Sequence, residues 1–197
     1  MTRIPYPDEA VLSEQKRVVL ARAGDRFLNI SRMARHAPDK LWTAHYAFKQ
    51  AVITDTELDR HLREILILCV GFATRSDYEI HHHRSIAANL GIPDSVVAAI
   101  ERGDFTDLGP KERAIARFTI EMVRHISPSD DALAALRTLF SDREVIEMVI
   151  VIASYVGTAM MAAVTGVEPD HAPVTSWDDW VDRGGNPAPT LDRGPRP

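Results

Sequence analysis

The hydrophobic residues of this chain recur every three or four positions through most of its length, which is the period of an amphipathic α-helix. No segment of the sequence shows the alternating pattern of a half-buried strand between turn residues. The pattern predicts successive helices at about residues 8–23, 27–36, 38–52, 56–72, 77–90, 93–102, 110–123, 132–140 and 142–165.

Local signals mark the ends of these segments. Pro110 occupies a first-turn position, and Gly91 and Gly166 follow the last periodic residues of two helices. Ser141, with Glu144 three residues later, has the form of a capping box for the last helix. Each predicted helix therefore has a plausible start or stop.

The segment from Val145 to Ile152 is the one place where a strand competes with a helix, because it is rich in β-branched residues. The cap before it, its length and its alanine-rich continuation favour a helix that is buried on most sides. The predicted fold class is all-α.

The composition divides the chain into three regions. Residues 1–26 are predicted to be an N-terminal helical extension, residues 27–168 the main helical domain, and residues 169–197 a tail rich in proline and glycine. Trp177 and Trp180 in this tail favour its packing onto a surface, such as that of a neighbouring subunit.

Charge and cysteine content exclude several classes of protein. The 23 basic and 28 acidic residues are interspersed, with a net charge of −5, so the electrostatic footprint of a nucleic-acid-binding protein is missing. Cys69 is the single cysteine, which excludes a redox cycle between two cysteines of one chain. The longest apolar run, Met148 to Val156, is too short for a membrane span, and the N-terminus lacks the apolar core of a signal peptide. We therefore expect a cytoplasmic protein without membrane or nucleic-acid partners.

The segment Asp77-Tyr78-Glu79-Ile80-His81-His82-His83 is the strongest candidate for chemistry. On a helix, Glu79 lies one turn before His83 and also adjoins His82, whereas His81 points elsewhere. A carboxylate beside an imidazole orients the ring and raises its pKa, which suits general acid–base catalysis. A solvated polar helix face is the plainer alternative.

A metal site is the third alternative. Glu79-x-x-His82 has the spacing of half a carboxylate-bridged di-iron site, but the other Glu-x-x-His of the chain, Glu168 to His171, lies after the last predicted helix rather than on one. Adjacent histidines on one helix point about 100° apart and cannot all reach one ion. We therefore expect neither a metal nor another cofactor.

Glu64 favours the catalytic interpretation, because it lies in an otherwise apolar stretch of the preceding helix. A buried carboxylate needs a partner, and His83 on the following helix is one candidate. Pairing with Arg63 or Arg60 at the helix surface is an equally good alternative from the spacing alone.

The order of these residues resembles the carboxymuconolactone decarboxylase superfamily, which includes alkylhydroperoxidase D-like proteins. Glu64, Ser76, Glu79 and His83 follow at its intervals, and Ala87-Ala88-Asn89-Leu90-Gly91-Ile92-Pro93 comes next. Further matches lie at Leu62-Arg63-Glu64, Phe140-Ser141-Asp142-Arg143-Glu144 and Gly166-Val167-Glu168. The resemblance covers roughly residues 27–168 and implies an alkylhydroperoxidase D-like helical bundle that forms homo-oligomers, usually trimers or hexamers.

The resemblance implies two activities. In the peroxidase branch, cysteines would occupy the positions of Ser76 and Glu79, and neither residue here supports thiol chemistry. The decarboxylase branch is similar in its glutamate four residues before the helix histidine. We therefore expect a lyase that acts on a small unsaturated acid or lactone, with Glu64, Glu79 and His83 as catalytic residues and Ser76 and His82 as substrate-binding residues. A non-catalytic helical oligomer is the remaining alternative.

Overall fold

The computed structural model describes residues 2–23 and 27–176, and the regular elements within these ranges are helices. This confirms the predicted all-α class. Short 3-10 turns lie at Glu9–Val11 and Ala34–His36. The α-helices are α1 (Glu14–Ala23), α2 (Asn29–Met33), α3 (Asp39–Thr54), α4 (Arg60–Thr74), α5 (Asp77–Asn89), α6 (Asp94–Arg102), α7 (Pro110–His125), α8 (Asp130–Arg137) and α9 (Asp142–Thr165).

Helix α4 forms the centre of the fold. Every residue from 63 to 71 is buried, because α5, α6, α7 and α9 pack around it. Its nearly continuous apolar sequence is what a helix surrounded on all sides requires. The two larger hydrophobic clusters meet along α4: one contains Leu66 and Ile67, and the other contains Ile65 and Leu68.

Helix α9 includes the strand-like segment, and the capping box that favoured a helix is present. Ser141 Oγ accepts a hydrogen bond from the Glu144 N–H, and Glu144 Oε2 accepts one from the Ser141 N–H. The helix is long and apolar enough to cross a membrane by length and composition alone. It nevertheless packs against α2, α3, α4, α5, α7 and α8, as the core helix of a bundle does.

Two of the predicted helices differ in detail from the sequence pattern. The first α-helix begins at Glu14 rather than near residue 8, and Val11 is 78% exposed. On α3, Leu41 and Phe48 are exposed, although they share helical spacing with the buried Trp42. The buried face of α3 consists instead of Trp42, Tyr46, Lys49, Val52 and Ile53.

The turn between α4 and α5 sets the position of the histidine helix. Arg75 ends α4 in the left-handed conformation, and Ser76 caps α5 by accepting from the Glu79 N–H. Gly71 lets the two helices approach closely, since a Cβ there would lie 3.3 Å from Ile80 Cγ1. The chain therefore folds back and places the histidines of α5 alongside the start of α4.

We predict that Glu147→Ala lowers the free energy of unfolding by about 1–3 kcal/mol. Glu147 Oε2 accepts hydrogen bonds from the backbone N–H groups of Glu57 and Leu58, and so fixes the loop before α4 to α9. Urea denaturation measures the change. Glu101→Ala, which removes only the exposed ion pair with Arg84, is the control and should cost less than about 0.5 kcal/mol. Equal effects of the two substitutions would contradict this role of Glu147.

Candidate active site

His83 and Glu64 form a buried hydrogen-bonded pair at the α4–α5 contact. His83 Nδ1 lies 2.7 Å from Glu64 Oε1, and the two residues are 3% and 0% exposed. Glu64 therefore lies inside the fold rather than at the helix surface, and Arg63 donates to the Ile53 carbonyl and to Thr56. The carboxylate fixes the orientation of the imidazole.

Glu79 does not orient His83, contrary to the expectation from its i, i+4 spacing. Glu64 takes the Nδ1 position of His83, and within the described residues neither carboxylate oxygen of Glu79 has a hydrogen-bond partner. Glu79 is 2% exposed, and this burial raises its pKa to about 8, although the positive charge of Lys49 lowers it. The raised pKa favours the carboxylic acid form, which can donate a proton.

Lys49 of α3 is the charged residue that faces Glu79, and sequence reasoning missed it. Its ammonium donates to the Ser154 carbonyl at 3.0 Å and to Thr158 Oγ1, and it lies 4.6 Å from the centre of the Tyr155 ring. Burial lowers the pKa of Lys49 to about 8. The sequence does contain a sign of this role. Lys49 lies two helical turns after Trp42, on a face of α3 that is otherwise apolar or aromatic.

His82 has a different environment from its neighbour. Its Nδ1 accepts a hydrogen bond from the Val174 N–H at 2.9 Å, so its Nε2 carries the proton and donates to Asp170 Oδ2 at 3.1 Å. Burial lowers the pKa of His82, which favours this neutral form. Both ring nitrogens of His82 already have partners. Its predicted role in substrate binding would therefore be a contact through the carbon atoms of the ring.

Asp170 holds the start of the C-terminal tail against α5. Burial raises its pKa, but hydrogen bonds from His82, from Tyr78 Oη at 2.5 Å and from the Asn29 N–H outweigh this and lower it. The first residues of the predicted tail thus complete the wall behind His82. Trp177 and Trp180, and the rest of that tail, lie outside the described residues.

The polar groups of α3, α5 and α9 converge on one pocket, which we call the inner pocket. It is lined by His45, Lys49, Tyr78, Glu79, His82, His83 and Tyr155, with Ile30, Ala34 and Met161 among its apolar residues. Its free volume is about 40 Å³, enough for about three water molecules. Glu79, His83 and Lys49 therefore line one small pocket.

The other candidate residues lie apart from this space. Ser76 is buried at the start of α5, where its hydroxyl caps the helix. Cys69 is fully buried in α4, and burial raises the pKa of its thiol, which opposes formation of a reactive thiolate. Among residues 2–23 and 27–176, no group of three histidine, cysteine, aspartate or glutamate side chains is arranged to hold a metal ion.

Three solved structures share this fold. An alkylhydroperoxidase AhpD core described as a peroxidase-related protein from Ralstonia eutropha superposes with a TM-score of 0.71 at 20% identity, over 92% of this chain and 96% of that one. A peroxidase-related protein from a Silicibacter species gives 0.71 at 16% identity, over 89% and 94%. A putative antioxidant defence protein AhpD from Agrobacterium tumefaciens gives 0.61 at 18% identity, over 69% and 94%.

The sequence itself matches a family model. Residues 41–121 match the carboxymuconolactone decarboxylase family, and this range contains Lys49, Glu64, Glu79 and His83. No curated protein matches the chain. The chain is therefore similar to this family over residues 41–121, and it shares its fold with the AhpD-like structures.

Proposed function

We propose that the inner pocket catalyses decarboxylation, or a related proton transfer to carbon, of a small unsaturated acid or lactone. The observation that carries this proposal is the buried carboxyl of Glu79, which lacks a hydrogen-bond partner among the described residues, has a raised pKa and lies in one pocket with His83, the partner of Glu64. Two proton-carrying groups with different environments suit a reaction in which a proton must reach carbon.

In this reaction the bond between the substrate carboxylate carbon and its neighbouring carbon breaks. Carbon dioxide leaves, and the electron pair of the broken bond moves into the conjugated system of the substrate. Glu79 delivers a proton to the carbon that receives this electron pair. His83, oriented by Glu64, returns a proton to Glu79 from solvent and so completes the cycle.

Lys49 supplies the charge for this chemistry. Its ammonium is held by Ser154 and Thr158 and faces the pocket, where it attracts an anionic substrate. It also stabilises negative charge that moves onto a carbonyl oxygen as carbon dioxide departs. The burial of Lys49 strengthens both effects.

Peroxidase activity is the second candidate, and the names of the structural neighbours are what favour it. The thiol route needs an accessible thiolate and a resolving cysteine. Cys69 is the chain's single cysteine and is fully buried. The proton-transfer chemistry is therefore the better match to the residues of the pocket.

We predict that wild-type protein releases carbon dioxide from carboxymuconolactone or from a related unsaturated acid. In D2O the product should carry one deuterium at the protonated carbon. His83→Ala and Glu79→Gln should each lower kcat about 100-fold or more, because each removes a proton-transfer group. Mass spectrometry of the product and carbon dioxide release measure both effects.

The control for this experiment is His81→Ala, which alters the adjacent histidine on the same helix and should retain activity. Full activity of His83→Ala would overturn the mechanism. Hydroperoxide reduction that disappears in Cys69→Ser would favour the peroxidase alternative instead.

We also predict a pH-dependent difference in stability between the wild type and Glu79→Gln. The pKa of Glu79 is higher in the native state than its ordinary value of 4.5, so the native state binds the proton more tightly than the unfolded chain does. The wild type should therefore lose stability relative to Glu79→Gln as pH rises from about 4.5 to about 8. The slope is about 1.4 kcal/mol per pH unit for one proton.

Urea denaturation of both proteins across this pH range measures the difference. Above pH 8 it should level off, because Glu79 is then ionised in both states. A difference that stays constant with pH would show that Glu79 does not carry a raised pKa.

We further propose that the protein is a homo-oligomer, with a trimer or hexamer implied by the superfamily. One face of α9 supports this: its exposed residues follow the four–three spacing of a helix–helix seam. They are Ile146, Ile150, Ala153, Gly157, Met160 and Val164, and the four large ones are 42–64% exposed. The small residues at its centre permit close approach of a second helix.

We predict that Ile150→Glu dissociates this oligomer, because the charge would be buried at the seam without a partner. Sedimentation velocity of wild type and variant measures the change. Val11→Glu, at an exposed apolar position away from α9, should leave the assembly intact. A monomeric wild type, or an Ile150→Glu variant with unchanged sedimentation, would contradict the proposed interface.

A further inference from the structure

A larger and more apolar space, which we call the outer groove, adjoins the inner pocket. It has a volume of about 360 Å³, and Ala34, His45 and Met161 line both spaces. Beyond these shared residues its walls include Ile4, Met33, Leu41 and Trp42. The two spaces are therefore neighbouring compartments of one site, with the charged groups in the smaller one.

We propose that the substrate is an amphipathic carboxylic acid, with its acidic head in the inner pocket and a hydrocarbon tail in the outer groove. This inference rests on the proposed function and names the class of substrate that the same site takes. It extends beyond a compact lactone, because a compact molecule would leave the groove unused.

The size of the inner pocket supports this division. Its free volume of about 40 Å³ accommodates a carboxylate and few further atoms. A larger substrate must therefore extend past His45 and Met161. The space that it meets there is the outer groove.

The charge of the inner pocket determines which end of the substrate enters it. Among the described residues that line this pocket, Lys49 is the one ammonium or guanidinium group. Burial raises the pKa of Glu79, which favours its uncharged acid form near the Lys49 ammonium. A carboxylate neutralises the charge of Lys49, whereas a hydrocarbon would leave it buried without a counter-ion.

The outer groove suits a hydrocarbon. Trp42 and Met33 lie within the fold, and the N-terminal segment closes one side, because Arg3 and Ile4 donate backbone hydrogen bonds to the Thr165 carbonyl. Water there meets few polar groups, so its replacement by methylene groups is favourable. Leu41, which is 61% exposed, lies at the open rim.

The test is isothermal titration of the full chain with straight-chain acids from butanoate to dodecanoate at neutral pH. The affinity should increase about fourfold for each added methylene group, and then level off once the groove is filled. The corresponding alcohols should bind at least about tenfold more weakly, because they lack the charge that Lys49 attracts.

Matched variants separate the two compartments. Leu41→Asp should abolish the dependence on chain length and leave butanoate binding unchanged, because it places a charge at the rim of the groove. Phe48→Asp, at another exposed position of α3, should behave as wild type. Lys49→Met should weaken every acid by the same factor.

Equal affinity across the acid series would overturn the inference, because the groove would then not hold the hydrocarbon tail. Alcohols that bind as tightly as acids would also overturn it, because the charge would then not hold the acidic head. Binding is measured without turnover, which keeps this result distinct from the proposed function. A normal chain-length series without any decarboxylation would refute the reaction and retain the site. Decarboxylation of compact acids without a chain-length dependence would do the reverse.

Discussion

The buried hydrogen bond between Glu64 and His83 is the constraint on which the rest of the site depends. Glu64 lies in a helix that is surrounded by others, so its carboxylate has lost its water and must find a partner inside the protein. His83 provides it at 2.7 Å, and the close approach at Gly71 makes this contact possible. Because the bond fixes α5 against α4, it also fixes where Glu79 and His82 point.

His82 and Glu79, which lie beside His83 on α5, differ in their hydrogen-bond partners. His82 has a partner at each ring nitrogen, and Asp170 accepts three hydrogen bonds, so this side of α5 is rigid. Glu79 is buried without a hydrogen bond among the described residues, and Lys49 carries a lowered pKa. Perturbed and incompletely satisfied groups that share a pocket are typical of active sites, because they react readily with a ligand.

Local signals predicted the helices well and their faces less well. The cap at Ser141 and the stop at Gly166 depend on neighbouring residues, and both are present in the structure. On α3, however, Leu41 and Phe48 have the same spacing as the buried residues and are exposed. Hydrophobicity alone could not distinguish the exposed apolar residues of α3 from the buried ones. It also gave no reason to place a lysine, Lys49, on the buried face.

The sequence by itself determined the all-α class, the ends of helices that carry caps, such as α9, and the placement of Glu64, Glu79 and His83 on two successive helices. These features depend on period and spacing. Only the tertiary structure decided that Glu64 rather than Glu79 holds His83, and that Lys49 faces Glu79. It also brought Asp170, 88 residues away in sequence, to His82. Such pairings depend on how closely the helices pack and on which polar groups are buried next to each other. Neither can be read from a local sequence pattern.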